Sequence, residues 1–300
     1  MLPSVPRADV GDESPRSREV RVGGLRIRVL EAGPAATRDD PVLMVHGLAG
    51  WAENWWPVIP AIAESGRAAI AFDLPGFGQS ERPRTARYFD PAEPFYARFV
   101  HELLDTLGIE RVHLAGHSLG GAIAYTVAAW EPSRFRSLTL VAPGGLGVDL
   151  PRELRLMTLP GMELLARWRS SPPIARAVLY SCFHDPSRCP PELLEEAVRY
   201  AGVAAGEMIR VLRSCVGLGG IRENVRRSWL SRVHRYRGPA LVVWGREDRI
   251  LPVRHAEAAR DLAPQADVRI IASSGHLVMV ERPREFLDVF LPFLDLASAR

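Results

Sequence analysis

The sequence predicts an α/β fold: a mostly parallel sheet wrapped by helices on both faces, with a helical lid inserted into it. Two observations carry this. Short apolar runs of strand length alternate with longer amphipathic runs, the pattern of βαβ units, whose sheets are covered on both sides. That alternation breaks off near Gly145, gives way to a proline-punctuated helical stretch as far as Arg237, and then resumes. The chain has 300 residues, 47% of them hydrophobic. That suits one large domain carrying an insertion.

Met1 to Arg18 is rich in Pro, Ser, Arg and Asp and lacks an apolar core segment, so it reads as a disordered tail rather than a signal peptide. Glu19–Val22 and Leu25–Leu30 read as a hairpin turned at Gly23-Gly24. Pro41–Val45 is a buried strand running into His46-Gly47-Leu48-Ala49-Gly50. Trp55–Ser65 reads as a helix. Ala68–Phe72 is a strand ending in Asp73-Leu74-Pro75-Gly76-Phe77-Gly78-Gln79-Ser80. Phe95–Leu107 has apolar residues at helical spacing. The strand Ile109–Ala115, the helix Leu119–Trp130 closed by Pro132, and the strand Ser137–Ala142 follow.

The insertion, residues 145–237, is expected to be all helical and to lie over the C-terminal edge of the sheet, where open α/β sheets bind ligands. Residues 19–144 and 238–300 then form the core domain. After the insertion come the strand Ala240–Trp244, the helix Arg254–Leu262, the strand Val268–Ala272 and the helix Pro283–Leu296.

Ser118 is the most informative residue. It sits in Gly116-His117-Ser118-Leu119-Gly120, a G-x-S-x-G pattern between a strand and a helix. A serine on so tight a turn takes a strained backbone, and small neighbours two residues away let the turn close. The turn lifts the hydroxyl clear of the sheet and aims the Leu119 N–H at any charge that forms beside it.

A serine hydroxyl needs a base within reach, and the base needs an orienting partner. Of the eight histidines, His276 stands in a loop directly after a strand, in Ser273-Ser274-Gly275-His276. Trp244-Gly245-Arg246-Glu247-Asp248 supplies the acid from the preceding strand end, and Asp248 fits the turn better than Glu247. Asp149 and Asp73 are the competing acids, with Asp73 expected to brace the Pro75–Gly78 turn. His117 is expected to point away from the hydroxyl and to pack. An oxyanion hole needs two fixed donors; Leu119 N–H gives one and Leu48 N–H the other.

These segments together resemble the α/β-hydrolase fold family, from Arg18 to Leu296. The resemblance implies an eight-stranded, mostly parallel sheet with a helical cap, and a triad in the chain order Ser118, Asp248, His276. It implies no cofactor and no metal. A serine nucleophile points away from the haloalkane dehalogenases and epoxide hydrolases of this fold, which use aspartate. The carbon–carbon bond hydrolases of the meta-cleavage type usually have Asn before the nucleophile and an aromatic residue after the histidine; this chain has His117 and Leu277. Carboxylic ester hydrolysis is therefore the leading expectation. Carbon–carbon hydrolysis and a non-catalytic, ligand-binding member are the alternatives.

Basic and acidic residues number 38 and 35, with no lysine, and the net charge of +3 does not suggest a nucleic-acid partner. The cysteines Cys182, Cys189 and Cys215 have no metal spacing and no even disulfide framework. No apolar run is long enough to span a bilayer, so a cytoplasmic protein without stable membrane insertion is expected, as monomer or homodimer. Its partner would be a small-molecule acyl substrate. The apolar stretch Leu154, Leu156, Met157, Leu159, Met162, Leu164, Leu165 and Trp168 either packs on the core or forms an acyl-binding wall. Trp51, Trp55, Met157 and Leu277 are the candidate pocket residues.

Overall fold

The computed structural model describes residues 15–34, 39–90, 94–164, 171–262 and 265–299. Leu165 and Trp168, expected in the apolar stretch of the insertion, lie outside them.

The chain opens with a hairpin, β1 (Arg16–Val22) and β2 (Leu25–Ala32), followed by β3 (Val42–Val45), α1 (Ile59–Glu64) and β4 (Ala69–Phe72). Next come α2 (Phe95–Leu107), β5 (Val112–His117), α3 (Leu119–Trp130) and β6 (Phe135–Val141). The insertion carries α4 (Arg152–Leu156), α5 (Pro172–Ser181), α6 (Pro191–Cys215), β7 (Val216–Gly217), β8 (Gly220–Ile221) and α7 (Glu223–Leu230). The core resumes with β9 (Ala240–Gly245), α8 (His255–Leu262), β10 (Asp267–Ile271), α9 (Val278–Glu281) and α10 (Pro283–Ser298).

The eight long strands form one sheet in the order β1-β2-β4-β3-β5-β6-β9-β10. The pairs β1–β2 and β2–β4 are antiparallel and the rest parallel. β3, β4, β5 and β9 are buried along their whole length, as a parallel sheet covered on both faces requires. Two apolar clusters share the residues of β3 alternately. Leu43 and Val45 lie in one, Val42 and Met44 in the other, so each cluster covers one face of the sheet.

Three sequence expectations shift. The insertion is not all helical, because Val216–Gly217 and Gly220–Ile221 pair as a small antiparallel hairpin. Strands of two residues are too short to show a period of two. The first strand starts at Arg16, within the expected tail, since its ladder runs on to an Arg16–Glu31 pairing. The helix expected from Trp55 begins as a 3-10 turn over Ala52–Trp55 and becomes α-helical only at Ile59.

The insertion touches loops that follow the C-terminal ends of core strands. From α6, Tyr200 packs against Trp51, beyond β3, with ring centroids 5.6 Å apart, and its hydroxyl accepts from Gln79 Nε2 at 2.9 Å. Glu207 of α6 is buried and takes Arg82 Nε at 2.7 Å, Arg210 Nη1 at 3.2 Å and the Tyr88 hydroxyl.

Candidate active site

β5 ends in a buried run and α3 begins immediately after Ser118. Ser118 has φ 54° and ψ −114°, a conformation with positive φ that a side chain with a Cβ resists. Such a backbone stores about 1–3 kcal/mol and persists only where the surroundings hold it. They do so here: Ser118 N–H donates to Val141 O at 2.9 Å, and Ser118 O accepts from Ala122 at 3.1 Å and Gly144 at 2.9 Å. A Cβ on Gly116 would lie 2.6 Å from Gly120 C, and one on Gly120 would lie 2.5 Å from His46 O. The flanking glycines therefore let α3 press against β3 and β5 and leave the serine, half-buried, at the sheet edge.

The turn after β3 lies beside it. Gly50 N–H donates to Gly47 O at 3.0 Å, closing a four-residue turn with Ala49 at φ 57°. A Cβ on Gly47 would lie 3.1 Å from Ser118 Cβ. His46 fixes the turn: Nδ1 donates to Gly47 O at 2.7 Å, and Nε2 accepts from Leu74 N–H at 2.9 Å. Complete burial lowers its pKa to about 4, so the ring is neutral, as the paired roles require. Leu119, the first residue of α3, has its N–H ahead of the helical ladder. Leu48 thus belongs to the Gly47–Gly50 turn beside Ser118, and Leu119 follows Ser118 at the start of α3.

β9 and β10 deliver the other side chains. His276 Nδ1 lies 2.7 Å from Asp248 Oδ2, and both residues are buried. Asp248 Oδ1 accepts from Ile250 and Leu251 N–H, each at 2.8 Å. A carboxylate so held fixes the proton on Nδ1 and leaves Nε2 as the basic atom. Glu247 goes elsewhere, accepting from Ser274 N–H at 3.0 Å. Among the described residues no hydrogen bond joins Ser118 to His276; such bonds often tighten only when substrate is bound.

His117 is not merely packed away from the serine. Its ring lies 4.6 Å from that of His276, and its Nε2 donates to His276 O at 3.0 Å. Burial, with His276 nearby, drives its pKa well below the usual range. The competing acids are occupied. Asp73 accepts from Ala52 and Gln79 N–H, each at 2.8 Å, and Asp149 pairs with His255 Nε2 at 2.9 Å.

Of the expected pocket residues, Trp51, Trp55 and Leu277 share one apolar cluster and Met157 packs on the other. Trp51 is buried against Tyr200 of the insertion, and Met157 is partly buried against the core. Leu277 is buried in the same apolar cluster as Phe183. Trp55 is fully buried, 6.4 Å from the Phe286 ring.

A family model described as the alpha/beta hydrolase fold matches residues 40–183 and 209–283. The chain belongs to the α/β-hydrolase fold family. It is 32% identical over 283 residues to the dihydrolipoyllysine-residue acetyltransferase component of an acetoin cleaving system from Pseudomonas putida, covering 94% of this chain and 70% of that protein. It is 30% identical to the 2-hydroxy-6-oxo-6-(2'-aminophenyl)hexa-2,4-dienoic acid hydrolase of Metapseudomonas resinovorans, over 93% of this chain and 90% of the other. Among solved structures it is similar to a membrane phospholipase A, with a TM-score of 0.75 and 29% identity over 94% of this chain and 86% of that one. As a family member it carries the hydrolase sheet, and Ser118 follows β5, one of its inner strands.

Proposed function

We propose that this α/β hydrolase cleaves carboxylic esters of small to medium apolar substrates through Ser118, His276 and Asp248. The observation that supports this most is the buried His276–Asp248 pair, delivered to the segment that holds a strained serine. In the proposed reaction His276 Nε2 takes the Ser118 proton as the oxygen attacks the acyl carbonyl. The Leu48 and Leu119 N–H groups hold the oxyanion, each worth about 3 kcal/mol in the transition state. His276 then protonates the departing alcohol, and water releases the acyl group from Ser118. The insertion, residues 145–237, acts as the cap and sets acyl selectivity, with Trp51, Met157 and Leu277 as pocket residues. Similarity to a membrane phospholipase A supports an acyl ester substrate.

Purified protein is expected to release nitrophenol from p-nitrophenyl butyrate and to react with a fluorophosphonate probe at Ser118, with both lost in Ser118→Ala. Unlabelled wild-type protein, inert to esters of every chain length, overturns the proposal. A second reading, hydrolysis of a carbon–carbon bond in a vinylogous diketone, is favoured by the 30% identity to a dienoic acid hydrolase. Decay of the coloured dienol substrate, with no ester turnover, would select it.

A further inference from the structure

We infer that Glu281 is a positioning residue that ties the helical insertion to the loop carrying His276, so that the placement of the imidazole depends on both. The inference rests on the reading of His276 as the base.

Glu281 ends α9 and is 1% exposed. Its carboxylate is divided between two parts of the chain. Oε2 accepts from Gly275 N–H at 2.7 Å, one residue before His276, and from His184 N–H at 3.0 Å in the insertion. Oε1 accepts from Asp185 N–H at 2.7 Å. No ion pair joins it among the described residues. Removing a carboxylate from water is costly, and hydrogen bonds must offset that cost. Here three backbone amides do so, and they belong to the two segments being joined.

The same two segments meet directly. His276 N–H donates to Cys182 O at 2.7 Å, and Leu277 N–H to the same oxygen at 3.3 Å. A Cβ on Gly275 would lie 2.6 Å from Cys182 O and 2.7 Å from His184 N, so only glycine admits this approach. With His117 on its carbonyl, the His276 peptide is gripped on both sides, and one grip comes from the insertion. A small displacement of a catalytic group costs up to about 100-fold in rate.

The test compares wild type, Glu281→Gln and Glu281→Asp. Glutamine keeps the shape but turns one head atom into a donor facing donors; aspartate keeps the charge but retracts it. The rate constant of Ser118 labelling by a fluorophosphonate, per titrated active site, is expected to fall about 10- to 100-fold in Glu281→Gln and less in Glu281→Asp. kcat for p-nitrophenyl butyrate should fall with it while KM stays within about twofold. Hydrogen exchange of the 184–185 and 275–277 amides should quicken in both variants. A purely structural role would lower the folded fraction and leave the rate per active site unchanged, and that result overturns the inference. Unaltered exchange at these amides overturns it as well. Failure of wild type to label sinks the ester hydrolase reading instead, and the exchange arm still decides whether the clamp exists.

Discussion

At the residue scale, the site rests on how each polar atom is occupied. Asp248 fixes the His276 tautomer, so Asp248→Asn, which can present a donor to Nδ1, is expected to cut kcat about 10⁴-fold with little change in KM; stopped-flow ester hydrolysis checks it. Gly120→Ala places a methyl against Val45 O and His46 O, and the chain is expected to lose at least about 2 kcal/mol in urea denaturation. Retention of wild-type stability would mean that α3 is not held against β3 as described. The strained turn at Ser118 and the meeting of Asp248 with His276 are legible in the sequence, because each residue follows a strand in a short turn whose residue types betray its geometry. Glu281 and the Cys182 carbonyl are not. A backbone acceptor has no residue signature, and a glutamate five residues after a histidine looks like any helical surface charge until its burial is known. His117 is half legible: its packing against the site is expected, but its partner, the peptide of the other histidine, is not.

At the element scale, strong local signals read well and short ones do not. α2 runs from Phe95 to Leu107, the range expected, because its apolar stripe is continuous and Gly108 closes it in the left-handed region. The β7–β8 hairpin and the 3-10 turn before α1 escape, since neither is long enough to display a period. The latch between α6 and the core is also invisible, because Glu207 meets Arg82 and Tyr88 only after folding. Glu207→Ala strands the buried Tyr88 hydroxyl and should lower stability by about 2 kcal/mol. Glu207→Gln should lower it less, and equal denaturation midpoints for all three proteins would remove the latch from the account.

At the scale of the whole molecule, buried titratable groups set the acid limit. Burial lowers His46 and His113 to about 4 from 6.5, so the unfolded chain binds these protons first. Their contribution is complete above about pH 6.5 and is lost as pH falls towards 4. Asp73, raised by burial to about 6 from 3.8, acts in the opposite direction. The histidines outweigh it, and His117 adds to them. Stability should therefore drop by on the order of 2 kcal/mol between pH 7.5 and pH 5, measured by urea denaturation. A rise over that interval would contradict the burial of these rings. The sheet belongs to this scale too: its eight strands come through resemblance, while their order is not legible, since alternation announces a parallel sheet but not which strands adjoin.

The grip on His276 bears on how the insertion can be exchanged. Part of the scaffold that holds the His276 loop comes from the insertion. Replacing the whole insertion would remove the carbonyl at Cys182 and the amides at His184 and Asp185 together, leaving a glutamate buried with one ligand of its three. A chimera that keeps this grip must therefore place its upstream splice junction beyond Asp185, so that α6 and α7 are exchanged while the native short stretch stays with the His276 loop.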